Sequence, residues 1–163
     1  MDIKKVIKYS VTVRGAVLHE TIGLERKIDW FLAQYFCPGN ESRWFELVNI
    51  FLATNRTTFD SKREAMKYIT KTHYPDFAEK LPSFLNDVEI RIMPKRNIIA
   101  HCNLYMGEDA IEAFKNRSIG FVKHLNENEI KWYSVAEIDD LINLTIKCTD
   151  DLTRYIKQQN PLK

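Results

Sequence analysis

The chain has 163 residues, 45% hydrophobic and 28% charged, about one domain's worth and enough to bury a core. Its 24 basic and 22 acidic side chains leave a net charge of +2, which excludes a general nucleic-acid footprint and restricts any such contact to a local patch. Five Gly and five Pro argue against many short strands, and three distant cysteines, Cys37, Cys102 and Cys148, argue against a disulfide framework or zinc site.

Residues from about Ile3 to Phe36 read as one long helix, or two merging. Val13, Val17, Leu24, Ile28, Phe31 and Tyr35 make one apolar stripe, and Ile7, Val11, Leu18 and Ile22 a second. Two stripes predict two partners, a core and a second subunit. Gly15 and Gly23 each weaken the helix by about 1 kcal/mol against Ala. Either another helix approaches closely there, or the cost is tolerated. Cys37-Pro38-Gly39-Asn40 ends the segment. Ser42 is the expected cap of a helix carrying Trp44, Leu47, Val48, Phe51 and Leu52. Ser61 and Glu64 form a capping box for a short helix through Ile69. Lys62, Arg63, Lys67 and Lys71 form a basic face on it, read either as solvated or as a guide for RNA. Asp76 and Glu79 form another capping box ahead of the next helical pattern, through Phe77, Leu81, Phe84, Leu85, Val88 and Ile92, with Pro82 as the alternative start. Pro94 predicts a kink just before Arg96. Residues 107–118 read as a polar connector. Ile119–Leu125 and Ile130–Tyr133 read as the strands of one hairpin, with 126–129 as its loop. Ser134 and Glu137 form another capping box. It opens a last long helix through Ile138, Leu141, Ile142, Thr145, Cys148, Leu152, Tyr155 and Ile156, with fraying expected over 158–163. The sum is an all-α, up-and-down bundle of four or five helices with one small β-hairpin before the last helix, in a single domain over 1–163.

No apolar run of about 20 residues occurs, so no membrane span is expected. With no leader pattern and unpaired thiols, the reading is a cytoplasmic protein.

The chemistry concentrates in Pro94-Lys95-Arg96-Asn97-Ile98-Ile99-Ala100-His101-Cys102-Asn103. Arginine can hold a phosphate with its planar fork at any pH, and histidine can move a proton near neutrality. Five steps along a straight helix put Arg96 and His101 roughly 140° apart. Convergence therefore needs the Pro94 kink, a loosened helix end at His101, or a second copy of the chain. Asn97 and His101, four apart, share a face, so the Asn97 amide is expected to orient the imidazole. The pair suits RNA cleavage by the ribose 2′-OH, with His101 as acid or base and Arg96 neutralising the phosphate. That route needs no metal, and no cofactor is expected. Among Glu20, Glu25 and Asp29, Asp29 adjoins the Ile28 stripe and is the selected supporting acid. The plainer reading is a solvated face pairing with Arg26 or Lys27. Lys95 and Asn103 flank the pair and are assigned to RNA contact.

Arg96-Asn97-Ile98-Ile99-Ala100-His101 resembles the R-x4-6-H motif of the HEPN superfamily, including the frequent polar residue after the arginine. The resemblance implies an all-helical, usually dimeric fold. It also implies a metal-independent endoribonuclease with a composite site at the homodimer interface, often in toxin–antitoxin or phage-defence systems. Carried over by position, Arg96 and His101 would be catalytic and Asn97 supporting. Expected partners are a second copy, RNA, and an antitoxin or regulatory protein. Some members carry a modified tyrosine two residues after the histidine; here that position is Asn103, with Tyr105 two further on. The alternatives are a non-catalytic RNA- or protein-binding module of the same fold, and a plain helical adaptor.

Overall fold

Helix α1 runs from Ile3 to Phe36 without a break. The computed structural model to which it belongs describes residues 3–54, 57–123 and 126–159. The end of the first expected hairpin strand, at 124–125, and the tail from 160 lie outside them. The chain is mostly helical with one small antiparallel sheet, and among the described residues no helix is long and apolar enough to cross a membrane. It divides into two compact units: Met1–Thr21 with Ile90–Thr145, and Ile22–Glu89 with Ile146–Lys163.

In the first unit, α1 buries Val6, Ser10, Val13, Val17 and Thr21 at helical spacing. Of the second stripe, Ile7 is 44% and Val11 65% exposed, while Leu18 is half-buried. Among the described residues none brings an atom within 4 Å of where a Cβ on Gly15 would stand, so none of the described helices approaches it closely. Helix α6 (Met93–His101) ends where Cys102 turns extended, and strand β1 (Asn103–Leu104) follows at once. The expected hairpin is therefore the larger part of a three-stranded sheet. In it β2 (Ser118–Lys123) lies between β1 and β3 (Asn126–Ser134), pairing Asn103 with Val122 and Ile119 with Tyr133. Residues 126–129, read as the loop, fall within β3. Ile119, Gly120 and Phe121 are buried in succession, so both faces of β2 are covered. A Cβ at Gly120 would stand 2.9 Å from the Trp132 ring, which explains the glycine. The polar connector holds a short helix, α7 (Ala110–Lys115). It closes through Arg117 at φ 58, whose N–H reaches the Phe114 carbonyl at 3.0 Å. The Ser134–Glu137 box forms as read: Glu137 N–H donates to Ser134 Oγ at 3.2 Å, and Ser134 N–H to Glu137 Oε2 at 2.8 Å. It opens α8 (Val135–Gln159). The backbone N–H of Ser134, followed by its hydroxyl, holds the Glu137 carboxyl below its usual range.

In the second unit, residues 22–36 of α1 bury Leu24, Ile28, Phe31, Leu32 and Ala33. The cap of α2 (Glu41–Glu46) is Asn40 rather than Ser42, its Oδ1 accepting from Arg43 N–H at 3.1 Å. The helix then widens into a π-helical stretch, Leu47–Leu52. This breaks the regular 3.6-residue stripe, and Leu52 turns inward while Phe45, Ile50 and Phe51 are 71%, 73% and 61% exposed. Helix α3 (Phe59–His73) starts ahead of the Ser61 box because Thr58 Oγ1 accepts from Ser61 N–H at 3.2 Å. Two short turns follow, α4 (Phe77–Lys80) and α5 (Phe84–Asn86). Phe77, Phe84 and Tyr155 pack edge to face, with centroids 5.8 Å and 5.0 Å apart. Tyr155 donates to Asp76 Oδ1 at 2.8 Å, and burial, reinforced by Asp76, pushes its phenol well above the usual range.

The basic face expected on α3 is largely spent inside this unit. Lys62 is 3% exposed and binds Glu25 Oε1 at 2.6 Å and Asp29 Oδ2 at 3.0 Å. Arg63, also buried, pairs with Asp60, Glu64 and Glu89. Long side chains on one helix face can serve neighbouring acids across a core edge, a choice that helical spacing does not reveal.

Candidate functional site

A π-helical stretch, Asp87–Ile92, leads directly into α6. Pro94 sits in the first turn of α6, where its missing N–H costs little. The helix changes from π to α type at Ile92–Met93, just ahead of Arg96. At the other end, Cys102 N–H still reaches Ile98 O at 3.0 Å, but its own backbone is extended at ψ 152. His101 is the last helical residue, and its side chain is free to leave the regular helix direction.

Arg96 and His101 meet inside one chain. Arg96 Nη1 lies 3.1 Å from His101 Nε2 and donates to Asn97 Oδ1 at 3.0 Å. Convergence therefore does not require a second copy. The length of the arginine side chain spans the angle that a straight helix leaves between the two positions. A guanidinium has no acceptor, so this contact is a hydrogen bond only in the neutral tautomer that carries the ring proton on Nδ1. Asn97 was expected to orient the imidazole; its amide oxygen instead holds the guanidinium. Asn97 Oδ1 and His101 Nε2 both lie against the same group, Arg96 Nη1. The Arg96 Nε is buried and, among the described residues, has no hydrogen-bond partner.

His101 and Asn97 are exposed, and both line a hollow of about 670 Å³ beside α6. Pro94 and Ile98 of the helix supply its apolar side, and Lys123 and Lys131 of the sheet its cations. Lys131 is shared with Glu129 at 2.6 Å. Lys95, half-buried, lies close enough to Glu137 to help lower its pKa. Asn103 is exposed on β1. Asp29 is committed elsewhere, to Lys62 within the second unit. Among the described residues no group of three or more His, Cys, Asp or Glu side chains is placed to hold a metal ion.

One residue of this site escaped the sequence reading. Arg14 of α1 donates from Nη2 to Cys102 O at 2.6 Å and from Nη1 to Ala100 O at 3.4 Å. Its guanidinium carbon lies 5.1 Å from the centre of the Phe121 ring, and its Nε reaches Ser10 Oγ at 3.4 Å. Arg14 thereby serves carbonyls that the end of α6 leaves without helical partners, directly beside His101. The available signal was an arginine set between Val13 and Val17, at the edge of an apolar stripe.

No protein-family model, no curated protein and no solved structure matches this chain. Its site is described by its own geometry: an arginine touching an exposed imidazole at the edge of a hollow rimmed by Lys123 and by the Lys131–Glu129 pair.

Proposed function

We propose that the chain is a metal-independent endoribonuclease, of the kind the R-x4-6-H resemblance implies. The observation that carries this reading is the 3.1 Å contact between Arg96 Nη1 and exposed His101 Nε2. In the reaction, Arg96 turns from the ring to the non-bridging oxygens of a phosphodiester, releasing the Nε2 lone pair. Nε2 takes the proton of the ribose 2′-OH, O2′ attacks phosphorus, and the P–O5′ bond breaks. The departing O5′ takes a proton from the imidazolium or from water. The products are a 2′,3′-cyclic phosphate and a 5′-hydroxyl. Lys123 and Lys131 attract the flanking phosphates. A second copy of the chain belongs to this proposal on separate grounds, the exposed Ile7 and Val11 of α1.

The test is incubation of the full chain with end-labelled RNA in EDTA, beside Arg96→Ala and His101→Ala. Cleavage by the unaltered chain alone, with cyclic phosphate ends, supports the proposal. Cleavage that survives both substitutions refutes it. RNA binding without cleavage would mark a binding module instead.

A further inference from the structure

The second unit presents an apolar surface that its own core leaves uncovered. It runs along the segment from Glu41 to Leu52, where Phe45, Ile50 and Phe51 are each more than half exposed. In π-helical geometry a residue lies over its fifth predecessor, which sets Ile50 near Phe45 and Phe51 over Glu46. The three side chains thus share one side of the segment, and that side faces solvent. Trp30 of α1, 56% exposed, extends the surface. It lines one hollow of about 520 Å³ together with Phe45, between Asp29 and Ala33 of α1 on one side and Val48 on the other.

The size of this surface is informative. An aromatic side chain offers about 150–250 Å². At their exposures Trp30, Phe45 and Phe51 together leave about 400 Å² in solvent, before Ile50 is added. One side of a standard protein interface hides about 800 Å², a little over half of it apolar. The surface is therefore as large as the apolar part of one such side. Single exposed hydrophobics need no partner, but a patch of several hundred Å² marks an interaction site.

The charges around the patch select what fits it. Arg26 and Glu41 line the hollow, and Arg43 and Glu46 lie within two positions of Phe45. All four are exposed, and among the described residues none of them forms a salt bridge. The rim thus holds two cations and two acids. An anionic lipid surface, or a peptide of one sign, would meet two like charges there. A second copy turned about a two-fold axis brings acids to cations and the apolar centre to its own image, because the same surface faces itself.

We infer that this face of the second unit pairs two copies of the chain across a two-fold axis. It goes beyond the nuclease proposal, since none of its residues belongs to the Arg96–His101 pair or to the Ile7–Val11 stripe.

The experiment is light scattering on the full chain beside Ile50→Asp, Phe45→Ser, and Ile50→Asp combined with Val11→Asp. Ile50→Asp and Phe45→Ser should each halve the mass of the unaltered chain, and the combined variant should run as a single chain. Both positions are exposed, so the fold should be unaffected, which circular dichroism checks. Glu41→Arg with Glu46→Arg makes the rim wholly cationic and should weaken the pairing by about tenfold or more. A single-chain mass for the unaltered protein, an unchanged mass in both Ile50→Asp and Phe45→Ser, or undiminished pairing with the cationic rim overturns the inference. Binding to phosphatidylserine vesicles that Ile50→Asp abolishes at constant mass gives the face to a membrane and overturns it as well. Ile50→Asp should cleave end-labelled RNA as the unaltered chain does. Loss of cleavage in Arg96→Ala with the mass unchanged leaves the pairing standing, and failure of the pairing with cleavage intact leaves the nuclease proposal standing.

Discussion

Arg14→Met tests whether the end of α6 is held from outside. Methionine keeps an apolar side chain against Phe121 and removes the donors. The bond from Nη2 to Cys102 O, at 2.6 Å, is the strong one, while Nη1 to Ala100 O, at 3.4 Å, adds little. A hydrogen bond from a charged group contributes about 1.5–3 kcal/mol. Arg14 is only half-buried, so the lower end of that range, about 1.5 kcal/mol, is the better figure. That corresponds to about a tenfold rise in opening of the helix end relative to its closed form. Hydrogen exchange reads it directly: the Cys102 amide, bonded to Ile98 O at 3.0 Å in the closed form, should exchange about tenfold faster. RNA cleavage should fall in kcat more than it changes KM, because His101 loses its orientation while the basic rim remains. An unchanged exchange rate at Cys102, with an unaltered unfolding midpoint, would show that Arg14 does not hold this end.

Four further outcomes follow from the same geometry. Arg96→Ala and His101→Ala should each lower cleavage by about 10²–10⁴-fold, and mixing the two variants should restore nothing, since both groups act from one chain; recovery on mixing would place them on different protomers. Val11→Asp, on the exposed stripe of α1, should halve the mass found by light scattering, and a mass unchanged from the unaltered chain would place any subunit contact elsewhere. Lys62→Met should destabilise the chain by about 3–5 kcal/mol, because Glu25 and Asp29 are left as unpaired acids in and beside a buried position; urea unfolding measures it, and a loss under about 1 kcal/mol would contradict the pairing. Glu137→Gln should cost about 1 kcal/mol at neutral pH. The Glu137 carboxyl is held below its usual range in the folded chain, so its contribution is full above the ordinary glutamate pKa and is lost as pH falls through the lowered one. The difference from the unaltered chain should vanish there, and a difference that persists in strong acid would assign the effect to something other than the cap.

Much of this molecule could be read from local chemistry. The Ser134–Glu137 cap, the helix over Ile3–Phe36, and the end signal at Cys37–Asn40 depend on residues within one or two turns of each other. Their hydrogen bonds follow from spacing alone. Arg96 and His101 were legible as residue types five positions apart, while that spacing on a straight helix spoke against their contact. Long-range choices were not legible in the same way. Lys62 looked like a member of a solvated face and proved buried, because its partners Glu25 and Asp29 lie 37 and 33 positions earlier. Asn103–Leu104 is too short to show a strand pattern and becomes one only by pairing with β2. The π-helical turns at Leu47–Leu52 and Asp87–Ile92 change the phase of the side chains, which a 3.6-residue stripe cannot foresee.

What the sequence determined by itself was therefore the long first and last helices, the Ser134–Glu137 cap, and the residue types set side by side in α6, since propensity, capping and acid–base character are properties of residues and their near neighbours. Tertiary structure alone decided that Arg96 reaches His101 in the same chain, that Arg14 serves the helix end beside them, and that Asp29 belongs to a separate cavity. Those outcomes depend on where a helix changes type and on which distant carbonyl or carboxylate a long cation can reach, and neither is encoded in spacing along one element.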